Sequence, residues 1–235
     1  MLSIGTNHLI HTVRRDPDLV ILILDNEVYG LTKGQISPTS PTGMRTPSTP
    51  RGSVERPLSA LQVALAAGAR FVARAIDTDR ELPEILVRAH DHPGTAVVQI
   101  LQNCVVYNDG AFEHITAKEV AADAQLRPVP GEPLVFGRER DRALRVGADG
   151  RPEVVSLSEV DPDTLPRFDP KNRELACLLA ALEPPLPVAI GVLYADPAPE
   201  SYERAVRRQE EEARAQGPAD LAAVLKSGPV WVVPG

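Results

Sequence analysis

Apolar and polar positions fall into blocks along this chain, and the blocks predict alternating helices and strands. Leu2, Ile4, Leu9, Ile10 and Val13 are the apolar positions of a helix over Leu2–Arg15 that Pro17 ends. Leu19–Leu24 is an unbroken apolar run between Pro17 and Asp25–Asn26. Such a run predicts a strand buried on both faces of a parallel sheet. A long segment rich in Gly, Pro, Ser and Thr follows over Val28–Gly52 and reads as a functional or disordered loop.

The same pattern then repeats. Pro57–Ala67 predicts a helix stopped by Gly68, Phe71–Ile76 a strand, Leu82–Ala89 a helix and Thr95–Leu101 a third strand. Beyond Phe112 the pattern loosens. Pro128–Pro133 reads as a linker, and Val135–Val146 and Glu153–Leu157 as edge strands or loops. Helices are predicted over Arg173–Leu182, Ser201–Ala215 and Leu221–Lys226, with strands over Pro187–Tyr194 and Val230–Val233. Alternating strands and helices mean βαβ units, so the expected class is α/β, a mostly parallel sheet with helices on both faces.

Composition narrows the function. The chain has 235 residues, 43% of them hydrophobic, and a net charge of −7. No basic surplus exists to neutralise phosphates, which argues against a nucleic-acid binder. No apolar run approaches the ~18 residues of a membrane span. Polar Asn7, His8 and His11 stand where a secretory leader would be apolar, so a cytoplasmic protein is expected. The two cysteines, Cys104 and Cys177, suit a reducing compartment. Cys177 lies in an apolar helix and reads as core.

The segment after the first strand carries the most chemistry. Asn26 follows the strand, and ligands of parallel sheets bind beyond the carboxyl ends of strands. Its carboxamide oxygen and the Val28 carbonyl are donors suited to Mg²⁺, which shares its oxygens with phosphates. Gly30, Thr32 and Gly34 permit close backbone approach to a phosphorylated ligand. A turn closed by a capping Asn would explain the same residues without a metal. His8 and His11, three apart on one helix, share a face and read as structural or as a weak metal pair. His90 and His92 belong to a polar turn. No nucleophile elbow, Walker loop or dinucleotide fingerprint is present.

A family resemblance covers nearly the whole chain. Ser3–His11, Asp25–Gln35 (Asp-Asn-Glu-Val-Tyr-Gly-Leu-Thr-Lys-Gly-Gln) and Ser37–Pro41 resemble the thiamine-diphosphate motif of 2-oxoacid:ferredoxin oxidoreductase β subunits. Gly68–Arg74, Ile100–Asp109 and Ile190–Tyr194 extend the similarity in the same order. The resemblance implies a thiamine diphosphate-binding fold, with a cofactor domain over 1–125 and a C-terminal extension over 126–235 that completes it. It implies cofactor contacts at Gly5, Asn26, Val28, Gly30 and Thr32, with Mg²⁺ held by Asn26 and Val28. Leu31 and Lys33 would face the substrate, the lysine attracting its carboxylates. Cys104 would be one of four cysteines around a [4Fe–4S] cluster, although on residue chemistry alone it is a buried thiol.

The implied reaction is oxidative decarboxylation of a 2-oxoacid to its coenzyme A ester, with electrons leaving through the cluster to ferredoxin and an α subunit as partner. The family's Gly-Asp-Gly-Asp motif and three further cysteines precede the matched stretch. The chain is therefore expected to be N-terminally truncated relative to the family and inactive by itself. A non-catalytic structural or interaction subunit is the competing expectation. Cys104 and Leu31–Lys33 argue against a decarboxylase without a cluster.

Overall fold

Phe71–Ile76 and Thr95–Leu101 are buried at every position, and both lie in the interior of a four-stranded sheet. The computed structural model describes residues 2–198, 200–229, 231 and 233. In chain order the elements begin with α1 (Thr6–Arg15), β1 (Leu19–Asp25), the short pair β2 (Val28–Tyr29) and β3 (Gln35–Ile36), and α2 (Ala60–Ala66). They continue through β4 (Phe71–Ile76), α3 (Leu82–Asp91) and β5 (Thr95–Leu101). Next come α4 (Glu113–Thr116), α5 (Ala121–Ala124), β6 (Gln125–Leu126), β7 (Val135–Phe136), β8 (Arg142–Val146) and β9 (Pro152–Ser156). The last are α6 (Arg173–Ala180), β10 (Val188–Ala189), β11 (Gly191–Ala195), α7 (Tyr202–Ala215) and α8 (Leu221–Leu225).

The main sheet runs β1-β5-β4-β11. Its first three strands are parallel and β11 is antiparallel to β4. One face packs Ile21, Ile23, Val72, Val97 and Leu193 against α1, α2 and α6. The other packs Ala73, Ala75, Val98 and Ile100 against Ile85 and Ala89 of α3. Helices thus cover both faces, as the strand-helix alternation predicts. The helices start where their caps say they should. Ser59 accepts the Gln62 N–H at 3.4 Å, and Asn172 accepts the Leu175 N–H at 3.0 Å.

Three expectations change. The β1 run is not buried on both faces. Ile21 and Ile23 are buried, but Leu22 and Leu24 are 46% and 60% exposed. The reason is position: β1 is an edge strand with a hydrogen-bonded neighbour on one side only. The run Pro187–Tyr194 is not one strand. β10 pairs with β6 and β11 pairs with β4, and the chain passes between sheets at Gly191, whose φ is +117°. Cys177 is exposed rather than core. Ala176, Leu179 and Ala180 make the buried stripe of α6, and position 177 points away from it.

The segment after β6 folds into the antiparallel sheet β7-β8-β9. Neither α7 nor α8 has a buried residue. The strand expected over Val230–Val233 lies partly outside the described residues. Trp231 and Val233 are in no regular element.

Candidate cofactor-binding site

The carboxyl end of β1 is where the chemistry gathers. Asp25, the last residue of the strand, is buried, and the chain then turns through Asn26 and Glu27, whose φ is +56°. Side chains close the turn. Asp25 Oδ1 accepts the Glu27 N–H and Asn26 Oδ1 accepts the Val28 N–H, both at 3.2 Å. The chain then forms the β2–β3 hairpin around Gly30–Gly34, with Val28 opposite Ile36. Lys33 N–H donates to the Gly30 carbonyl at 3.1 Å, and Gly34 N–H to Tyr29 at 2.9 Å. Gly34, at φ +93°, cannot be replaced freely: a Cβ there would lie 2.8 Å from the Tyr107 ring.

A second segment meets this hairpin from β5. Asn108 Nδ2 donates to the Asn26 carbonyl at 3.0 Å. A Cβ on Gly30 would lie 3.5 Å from Cys104 Sγ and 3.8 Å from Asn26 Nδ2. Asn26, Gly30 and Cys104 therefore share one spot, although Cys104 is more than seventy residues further along the sequence. Leu31 is 101% exposed, and Thr32 and Lys33 are also exposed. Thr32 Oγ1 donates to Gln35 Oε1 at 2.5 Å. Gly5 stands on a different element, where its carbonyl accepts the Leu9 N–H at the start of α1. His8 and His11 are exposed on that helix.

Behind the turn lies a polar network that residue patterns did not single out. Arg74, Gln99 and Asp25 are each buried, and Thr39 joins them from the loop. They line a cavity of about 450 Å³ together with Glu27 and His114. Burial, and then the neighbouring Asp25, pushes the Glu27 carboxyl up to about 7. Burial lowers the Arg74 guanidinium to about 10 against the opposing pull of Asp25, which leaves it charged at neutral pH. The signal in the sequence was an Arg and a Gln in the middle of mostly apolar strands.

The donor set can be tested against the groups it would hold. Asn26 Oδ1 accepts from the Val28 N–H at 3.2 Å and has a second lone pair, and the Val28 carbonyl accepts from the Gly30 N–H at 3.2 Å. Two neutral oxygens fit part of a Mg²⁺ shell completed by phosphate and other ligands. Among the described residues no group of three or more His, Cys, Asp and Glu side chains could hold a metal. A [4Fe–4S] cluster asks for four thiolates. Cys104 is the one cysteine at this spot, so these residues fit one corner of a cluster and not a whole one.

Residues 1–100 match the model of the thiamine pyrophosphate enzyme C-terminal TPP binding domain, a stretch that includes the whole Asn26 hairpin. Over 97% of its length the chain superposes on 64% of a chain of 2-oxoglutarate:ferredoxin oxidoreductase from Magnetococcus marinus, with TM-score 0.68 and 24% identity. That structure has 2-oxoglutarate, coenzyme A and succinyl-CoA bound, and at this identity the likeness shows the fold alone. The fold is α/β, and the matched stretch over residues 1–100 resembles the thiamine pyrophosphate-binding domain.

The chain is also similar in sequence to β subunits of 2-oxoacid:ferredoxin oxidoreductases. It is 45% identical over 165 residues to 2-oxoglutarate oxidoreductase subunit KorB of Mycobacterium tuberculosis, covering 70% of this chain and 44% of that one. It is 40% identical over 177 residues to 2-oxoglutarate synthase subunit KorB of Archaeoglobus fulgidus, covering 75% and 57%. The chain thus spans about half the length of these relatives.

Proposed function

We propose that this chain is the thiamine diphosphate-binding part of a 2-oxoacid:ferredoxin oxidoreductase β subunit and works in a complex with an α subunit. The observation that carries the reading is the convergence of Asn26, Gly30 and Cys104 at the carboxyl end of β1, in a chain homologous to such subunits. Asn26 and the Val28 carbonyl hold Mg²⁺ over the diphosphate, with Gly5, Gly30 and Thr32 against the cofactor. When bound, thiamine diphosphate supplies the electron sink for cleaving the bond beside the 2-oxoacid carbonyl. Leu31 shapes the substrate pocket, and Lys33 draws in the substrate carboxylates by charge. The full exposure of Leu31 fits a hairpin whose outer side is completed by another subunit.

Cys104 would supply one thiolate to a [4Fe–4S] cluster, whose chemistry in the complex would be electron transfer to ferredoxin, with coenzyme A as the acyl acceptor. Residues 1–125 form the cofactor domain and 126–235 the extension that completes it. Among the described residues no helix is long and apolar enough to cross a membrane. The cytoplasm is the proposed location, because two unpaired cysteines suit a reducing compartment.

Asn26→Ala in the complex with the α subunit abolishes retention of thiamine diphosphate through dialysis; unchanged cofactor content would refute the Mg²⁺ assignment. Turnover with 2-oxoglutarate, pyruvate and other 2-oxoacids identifies the substrate. The single thiolate at the site favours one competing reading, a non-catalytic subunit that keeps the fold and the partner surface. Iron analysis of the complex separates the two, since an iron-free complex would exclude the oxidoreductase.

A further inference from the structure

Two polar side chains interrupt the buried strands of the main sheet, and they point at each other. Arg74 of β4 and Gln99 of β5 are register partners. Arg74 Nε donates to Gln99 Oε1 at 3.0 Å, and Gln99 Nε2 donates to Asp25 Oδ2 at 2.7 Å. Asp25 Oδ1 then accepts the Thr39 hydroxyl at 2.6 Å and the Glu27 N–H at 3.2 Å. The remaining guanidinium nitrogens donate to the Ala189 and Ala180 carbonyls at 3.3 and 3.1 Å, which fixes the guanidinium to β10 and α6. Arg74, Gln99 and Asp25 are each at most 7% exposed.

Burying such charges costs more than an apolar side chain of the same shape, so core stability alone does not account for them. Their line of hydrogen bonds runs from the middle of the sheet to the turn that carries Asn26 and Val28. A carboxamide suits the middle position because it accepts from the guanidinium and donates to the carboxylate at once.

We propose that Arg74, Gln99 and Asp25 form a positioning relay that fixes the Asn26–Val28 turn, with Gln99 as the bridge. The relay's functional meaning rests on the cofactor role proposed for that turn. In this role the three act through the backbone of the turn rather than as ligands of the cofactor. Gln99→Glu keeps the partner for Arg74 but faces Asp25 with a like charge at hydrogen-bond distance. Asp25→Asn combined with Gln99→Glu exchanges the two groups. The new amide then donates to the new carboxylate, which still accepts from Arg74, and total charge is conserved.

Hydrogen exchange on the whole chain reads the turn directly at the Glu27 and Val28 amides, with β4 amides as the check of folding. In Gln99→Glu both turn amides exchange at least about tenfold faster while β4 stays protected. The double variant returns them to the unsubstituted rate. In the complex with the α subunit, titrated thiamine diphosphate–Mg²⁺ affinity falls by about 10–100-fold in the single variant and recovers in the double.

Unchanged exchange at Glu27 and Val28 in a folded Gln99→Glu chain overturns the relay, as does a double variant no slower than the single. If Gln99→Glu does not fold, Gln99→Met supplies the loss and the double variant the rescue, and unchanged turn amides in Gln99→Met overturn the relay. Failure of the unsubstituted complex to bind thiamine diphosphate–Mg²⁺ would instead sink the proposed function. The exchange comparison judges the relay in either case.

Discussion

Lys33 sits at φ +75°, in the left-handed region that costs a residue with a side chain about 1–2 kcal/mol over glycine. It is exposed and makes no ion pair among the described residues, so the fold gains nothing visible from the lysine. A side chain kept at a strained loop position next to the proposed cofactor site is consistent with use by a ligand. Lys33→Gly should therefore raise stability by about 0.5–1 kcal/mol in denaturant unfolding and raise the KM for the 2-oxoacid in the complex. Gly94 shows the opposite constraint. At φ +102° its Cβ would lie 2.6 Å from Asp16 Oδ1, and that carboxylate accepts the Thr95 N–H at 2.7 Å. Gly94→Ala should cost about 2–4 kcal/mol by the same measurement, from backbone strain and loss of that tie. The sequence marks Gly94 as a turn residue, but only the fold shows Asp16 waiting against it.

β1 separates propensity from burial at the level of an element. Its six apolar residues fix a strand, and the structure agrees within one residue. They do not fix how many neighbours the strand has. With β5 on one side only, Leu22 and Leu24 keep one face open while Ile21 and Ile23 fill the core under α1 and α2. Ile23→Ala should cost about 2–4 kcal/mol in thermal or chemical unfolding, and Leu24→Ala under about 1 kcal/mol. Equal costs would mean that the outer face of β1 is covered within the chain. The last apolar run repeats the lesson. Pro187–Tyr194 is strand-forming throughout, yet Gly191 divides it between two sheets because its backbone adopts a φ closed to other residues. The strands β4 and β5 were the most legible elements, their predicted and observed bounds coinciding, while Ser59, Asn172 and Ser201 cap the helices they precede.

For the whole molecule, the Asn26 turn is joined to distant parts of the chain. Arg173 of α6 donates to the Leu65 and Ala69 carbonyls at 2.5 and 2.9 Å and lies 4.9 Å over the Tyr194 ring, which locks α2, α6 and β11 together. Gln99 of β5 donates to Asp25 at 2.7 Å and Asn108 to the Asn26 carbonyl at 3.0 Å, so a ligand that grips the Asn26 turn is coupled to the main sheet. Thiamine diphosphate with Mg²⁺, at about 100 times its dissociation constant, should stabilise the complex by about 2.7 kcal/mol. Differential scanning calorimetry reads this as a rise in Tm, absent in Asn26→Ala. No rise with the unsubstituted chain would mean that the turn is not the cofactor site.

The sequence by itself determined the α/β class and the positions of β1, β4 and β5, while Val28–Gly52 read only as a long loop. These follow from apolar blocks, caps and glycines, and such signals act over a few residues. The Asp25–Gly34 motif pointed to a phosphorylated cofactor for the same reason. Tertiary structure decided which of these pieces meet. It brought Cys104 to Gly30, turned Cys177 outward, left β1 at an edge, and joined Arg74 and Gln99 to Asp25. Those outcomes depend on strand order and register, and no local pattern of residues encodes which strand lies beside which.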